Sequence, residues 1–123
     1  PYIPGGDVCG IVVESDEPSI SHTSFQPGDI VVARFHERPF GALGEYAAVH
    51  TGVCDRVPPG VTPEGAASLG SSGIAALCVA DCIKEKDRVI IFGARGGVGS
   101  HLCQLARVRG ASYIVGVSRD PVG

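Results

Sequence analysis

The stretch Arg88–Asp120, RVIIFGARGGVGSHLCQLARVRGASYIVGVSRD, decides the fold. Arg88–Phe92 is an apolar, β-branched run suited to a buried parallel strand. Glycines follow at 93, 96, 97 and 99. From Val98 the apolar positions Val98, Leu102, Leu105 and Ala106 recur at helical spacing. Gly110 stops that helix, and Tyr113–Val117 reads as the next buried strand. Strand, helix and strand within roughly 30 residues make one right-handed βαβ unit.

The turn FGARGGVGS fits the dinucleotide pattern G-x-G-x-x-G if Ala94 holds the first place and Gly96 and Gly99 the second and third. Ala94 is small enough for the tight turn, Gly96 lets a pyrophosphate approach the backbone, and Gly99 lets helix and strand touch. The helix that starts here aims its free N–H groups and positive dipole end at phosphate. Cofactor contacts are therefore expected from Ala94, Arg95, Gly96, Gly97, Val98 and Gly99. A phosphate-binding ATPase loop would need Gly-Lys-Ser/Thr, and this turn has no lysine. About 20 residues beyond such glycines an acidic residue bonds the ribose 2′-hydroxyl of NAD. Ser118 and Arg119 stand there instead. A neutral hydroxyl removes repulsion of a 2′-phosphate and a guanidinium fork attracts one, so NADP(H) is the expected cofactor.

Upstream, Cys9–Ser15, Asp29–Phe35 and Glu45–His50 read as short strands separated by turn-rich segments, the pattern of a small irregular β-barrel or sandwich. Pro27-Gly28-Asp29 is a turn feeding the second of them. Thr62-Pro63-Glu64 marks a helix start, and the helical run that follows is interrupted around Gly70–Gly73. Lys84–Asp87 is a charged turn.

Composition narrows the function classes. A net charge of −3 with no lysine or arginine run argues against a nucleic-acid partner. No apolar run among these residues is long enough for a membrane span, and they carry no secretory-signal pattern, although the natural amino terminus is expected to lie upstream. The five cysteines form no CxxC pair and no zinc-site spacing with histidine, so they read as isolated thiols of a reducing, cytoplasmic compartment. A chain without methionine that opens on PYIPGGD and closes just after a strand reads as an internal piece of a longer protein. Alone, it is expected to leave strand edges open and to bind a cofactor weakly.

Collinear phrases then point to a family. PGGDVCGIVVE (residues 4–14) is similar to "PGxDxxGxV", FQPGDIVVA (25–33) to "fkpGDrVva" and GALGEYAAV (41–49) to "GgyAEya". VPPGVTPEGAASL (57–69) is similar to "vPdgvsxeeAAal", and IIFGARGGVGSHLCQLARVRGA (90–111) to "lIxgAaGGVGxxaxQlAkxxGA". The chain thus resembles the medium-chain dehydrogenase/reductase superfamily, and its quinone oxidoreductase (zeta-crystallin-like) branch in particular.

The resemblance implies an α/β protein. Residues 1–75 would be part of a GroES-like catalytic domain, and residues 76–123 the first βαβ unit of a Rossmann domain. It further implies a zinc-free, homodimeric parent that transfers hydride from NADPH to a small quinone or α,β-unsaturated carbonyl. The zinc alcohol dehydrogenases of the same superfamily carry a ligand histidine where this chain has Gly6 and a ligand cysteine where it has Ser71. Glycine cannot ligate, and neutral serine is a poor substitute for thiolate. The family's "AGxTA" threonine is replaced by Ala75, and Ser72 is the neighbouring hydroxyl that could take its place at the cofactor.

No catalytic acid stands out. Asp7 lies in the loop aligned with the substrate cleft, with turn or cap hydrogen bonding as its alternative role. Tyr46 is a phenol in a strand pattern, where packing is the alternative. His36, His50 and His101 read as surface or helix-end histidines. Two other functions share the fold: an enoyl reductase module of a fatty-acid or polyketide synthase, and an NADPH-binding protein without catalysis, which the Ala75 departure favours.

Overall fold

The computed structural model describes residues 3–16, 24–35 and 41–119. Two compact units divide the chain, Pro1–Ser71 and Ser72–Gly123.

In the first unit, β1 (Asp7–Ile11), β2 (Ile30–Arg34) and β3 (Cys54–Arg56) form an antiparallel sheet in that order. Asp7 pairs with Arg34 and Ile11 with Ile30, while Ala33 pairs with Cys54 on the other edge of β2. The Pro27-Gly28-Asp29 turn sits where expected. Asp29 Oδ2 accepts the Gln26 N–H at 2.9 Å, and Arg56 bonds both Asp29 (2.7 Å) and the Ser24 carbonyl (2.8 Å). The same guanidinium lies over the buried Phe25 ring, 5.2 Å from its centre. A cation held on an aromatic face and a carboxylate at once fixes the strand entry.

Two expectations need correction. The first strand runs from Asp7 to Ile11 rather than from Cys9 to Ser15, because the Pro27–Asp29 turn draws Val12 into single bonds with Asp29 and Gly28 and ends the ladder. Residues 45–50 are not a strand. The free edge of β2 is taken instead by Cys54–Arg56, which follows a 3-10 turn at Thr51–Val53. His50 caps that turn, its Nδ1 accepting the Gly52 N–H at 3.0 Å. Tyr-Ala-Ala-Val alternates only weakly, and two alanines give it little side chain to pair across a sheet.

Helix α1 (Pro63–Ala80) starts as the sequence indicates, with Thr62 Oγ1 accepting the Gly65 N–H at 3.1 Å. It is broken at Gly70, whose backbone leaves helical geometry (φ −41°, ψ −108°). In the second unit, β4 (Arg88–Phe92) pairs in parallel with β5 (Tyr113–Val117), Arg88 opposite Tyr113 and Phe92 opposite Val117. Between them α2 (Gly97–Val108) packs on both strands. Gly110 ends the crossover with φ +83°. The buried positions here are Ala76, Ala80, Ile91, Gly99 and Ala106, so elements meet largely through small residues. Ile90 and Phe92, on alternate positions from Ile91, stay 63% and 78% exposed. No helix among the described residues is long and apolar enough to cross a membrane.

Candidate functional site

The glycine turn is built by backbone rather than by side chains. Gly93 leaves β4 with φ +71°, and its N–H and that of Ala94 both donate to the Val117 carbonyl, at 2.9 and 3.1 Å. The end of β5 is thereby stitched to the turn, and Ser118 and Arg119 follow at once. The Gly96 N–H returns to the Gly93 carbonyl (2.9 Å), and α2 begins at Gly97. Gly96 is the N-cap and offers no side-chain cap, so the first turn of α2 presents N–H groups that no side chain answers. Such an end suits an anion.

Each glycine can be weighed by what a methyl group would meet. At Gly99, itself buried, a Cβ would overlap the Gly93 carbonyl and Ala94 Cα, so helix and strand touch there as expected. At Gly96 the nearest atom would be the Gly93 carbonyl oxygen at 3.2 Å, which leaves the outer side of the turn open. At Gly97 the obstacle is Ser72, not a backbone atom. Arg95, Val98 and Arg119 are exposed, Ala94 and Ser118 half-buried. Gly116 escaped sequence reasoning. A Cβ there would press on Ala94 Cβ at 2.8 Å, so it clears room for the first residue of the motif. Its signal was visible, since a glycine inside the strand pattern YIVGV indicates a close backbone approach.

Asp7 and Tyr46 belong to the first unit. Asp7 is the first residue of β1, and its carboxylate is already engaged at the break in α1. Both oxygens accept the Ser71 N–H at 3.0 Å, and Oδ1 accepts the Ser71 hydroxyl at 3.0 Å. Gly70 is where helical geometry fails, so Asp7 serves as a cap, reached from 64 residues away, for the helical stretch that resumes at Ser71. Tyr46 is a correction: it stands 76% exposed outside any strand and is neither packed nor brought to Asp7 by a described bond. Burial raises the thiol pKa of Cys9 and of Cys54, with Glu64 and Asp55 adding to each effect, so neither is an activated thiolate. His36 lies outside the described residues. Among the described residues no group of three or more His, Cys, Asp or Glu side chains is placed to hold a metal ion.

A glycine turn between parallel strands, followed by a helix start without a side-chain cap, is the arrangement of a dinucleotide-type βαβ unit. No family model matches the chain. It is, however, 31% identical over 121 residues to a probable quinone oxidoreductase of Schizosaccharomyces pombe, covering 96% of this chain and 35% of the relative. A crotonyl-CoA reductase of Streptomyces collinus is 32% identical over 146 residues, covering 95% of this chain and 32% of that one. Among solved structures, the quinone oxidoreductase of Thermus thermophilus, described together with its NADPH complex, superposes with a TM-score of 0.68 at 28% identity. That match covers 97% of this chain and 36% of the other. The chain is thus similar to quinone oxidoreductases and shares the α/β fold of the part of them that it matches. It spans about a third of the length of the curated relatives it matches.

Proposed function

We propose that this chain carries the nucleotide-anchoring turn of an NADPH-dependent reductase that delivers hydride to a quinone or an α,β-unsaturated carbonyl without zinc. The observation that carries the reading is the uncapped start of α2 beyond a turn whose outer side is open at Gly96. On this reading the N–H groups of the first turn of α2, Gly97 to Gly99, bind the pyrophosphate, with Arg95 adding positive charge and Ala94 and Gly96 shaping the turn. Ser118 and Arg119, next to the carbonyl that ties β5 to the turn, take the 2′-phosphate. NADPH supplies the hydride, and the protein's task is to orient it and exclude water. Gly6 and Ser71, at the positions of the zinc relatives' ligands, do not suit zinc, which favours the zinc-free reading.

The test is a paired titration of the full-length protein with NADPH and NADH, followed by nicotinamide fluorescence. NADPH is expected to bind tighter, and Arg119→Ala to weaken NADPH about tenfold while leaving NADH unchanged, the loss of one charge-assisted phosphate contact. Equal affinities in the unmodified protein would sink the NADPH assignment. The likeness to crotonyl-CoA reductase favours a second reading, an enoyl reductase acting on a thioester-activated alkene. Turnover of a crotonyl thioester in preference to quinones would select it.

A further inference from the structure

Gly97 and Ser72 stand together inside the second unit. A Cβ on Gly97 would lie 2.6 Å from Ser72 Oγ and 3.2 Å from Ser72 Cβ, nearer than side-chain atoms settle. The hydroxymethyl group of Ser72 therefore occupies the place a side chain at Gly97 would need. Gly96 differs, since only a backbone oxygen borders it and its outer side stays open. On the dinucleotide reading, the bare position at Gly96 is where a pyrophosphate approaches the turn. We infer that Gly97 is glycine for the sake of Ser72 and not of the nucleotide. Ser72, a hydroxyl expected from the sequence to meet the cofactor, acts instead by wedging against the first residue of α2. It is a positioning residue for the turn. Its effect on binding rests on the dinucleotide reading above, but the wedge itself does not.

A size swap separates the two. Gly97→Ala, Ser72→Gly and the double variant are made in the full-length protein, with melting measured without nucleotide and NADPH affinity by fluorescence. Gly97→Ala is expected to lower Tm by about 3 °C and weaken NADPH about fivefold, since the Ser72 hydroxyl must turn aside and its Cβ give slightly. Ser72→Gly alone supplies the reference for glycine in a helix. The double variant is expected to regain the Tm of Ser72→Gly and to bind NADPH within about threefold of it, since contacting sites are not additive. A double variant that melts no higher than Gly97→Ala overturns the wedge. Recovered melting without recovered NADPH binding overturns the claim that Gly97 is not needed by the nucleotide. If the unmodified protein binds no NADPH, the dinucleotide reading fails, while the melting comparison still decides whether Ser72 and Gly97 are partners.

Discussion

Gly99 and Gly70 both sit where another group comes too close for a side chain, yet the neighbours differ in kind. At Gly99 the intruding atoms are the carbonyl of Gly93 and the Cα of Ala94, backbone a few residues away in the same turn. At Gly70 the intruder is the Asp7 carboxylate, a side chain brought from another element. Backbone pinned by the Val117 carbonyl cannot retreat, whereas the Asp7 carboxylate can rotate about χ1 at the cost of its bonds to Ser71, leaving only the Asp7 Cβ contact to be met by a small backbone shift. A contact made of backbone is rigid and local; one made of a side chain is yielding and specified from afar.

The largest effect should therefore come from Gly99→Ala. The methyl must part α2 from β4, and about 3 kcal/mol of stability is expected to go, together with NADPH binding. Urea unfolding of the full-length protein measures it. A loss under about 0.5 kcal/mol, the range of ordinary surface substitutions, would break the comparison at its rigid end. Gly70→Ala should cost less, about 2 kcal/mol, since Asp7 can swing aside. Combined with Asp7→Ala it should cost clearly less than the two single losses together, because the carboxylate's share of the overlap and its hydrogen bonds vanish with the same group, although the Asp7 Cβ contact remains. Strict additivity would show that the two residues do not meet.

The same distinction explains what could be read from the sequence. Arg88–Phe92, the glycine turn, the crossover helix and Tyr113–Val117 were all legible, because each depends on neighbours within one βαβ unit. The interruption of α1 at Gly70 was visible as a glycine among serines, but its cause was not. Nothing near Gly70 in the chain announces that Asp7 will receive the Ser71 N–H, so a cap that ordinarily precedes its helix was supplied from β1. The third strand failed for a related reason. Cys54–Arg56 is too short to show alternation, and it is selected by the open edge of β2, while Glu45–His50 had only a weak strand pattern and no partner. For the candidate site, the motif residues were legible one by one and Gly116 showed as a glycine within a strand, but the residues that Gly97 and Gly116 make room for, Ser72 and Ala94, come from elsewhere in the fold.

Asp7→Asn probes the yielding contact more gently. The amide keeps an acceptor for the Ser71 N–H but loses the negative charge at a helix start, for which about 1 kcal/mol is expected. Amide hydrogen exchange at Ser71 should quicken, while exchange within α2 stays as it was. Unchanged protection at Ser71 would mean that the carboxylate is not its partner in solution. Ordinary turnover by this variant, with quicker exchange, would mark Asp7 as a structural cap and not a proton donor.

The smallest effect belongs to the exposed Asp29–Arg56 pair, and its sign follows from linkage. The Gln26 N–H, then the Arg56 guanidinium, hold the Asp29 carboxyl below the usual aspartate range. A carboxyl whose pKa is depressed on folding contributes stability that is fully present above its unfolded pKa and lost as pH falls through the folded one. The loss should thus set in from about pH 4 downward, where free aspartate begins to protonate, and should be absent near neutrality. Because the group faces solvent, salt should weaken the Arg56 part and spare the local Gln26 bond. Acid unfolding of Asp29→Asn against the unmodified protein measures the difference, and the variant should show a shallower decline below about pH 4. Identical acid limbs would mean that Arg56 stays on the Phe25 face and the Ser24 carbonyl whether or not Asp29 is charged. The aromatic stack, not the ion pair, would then be the tie at the entry to β2.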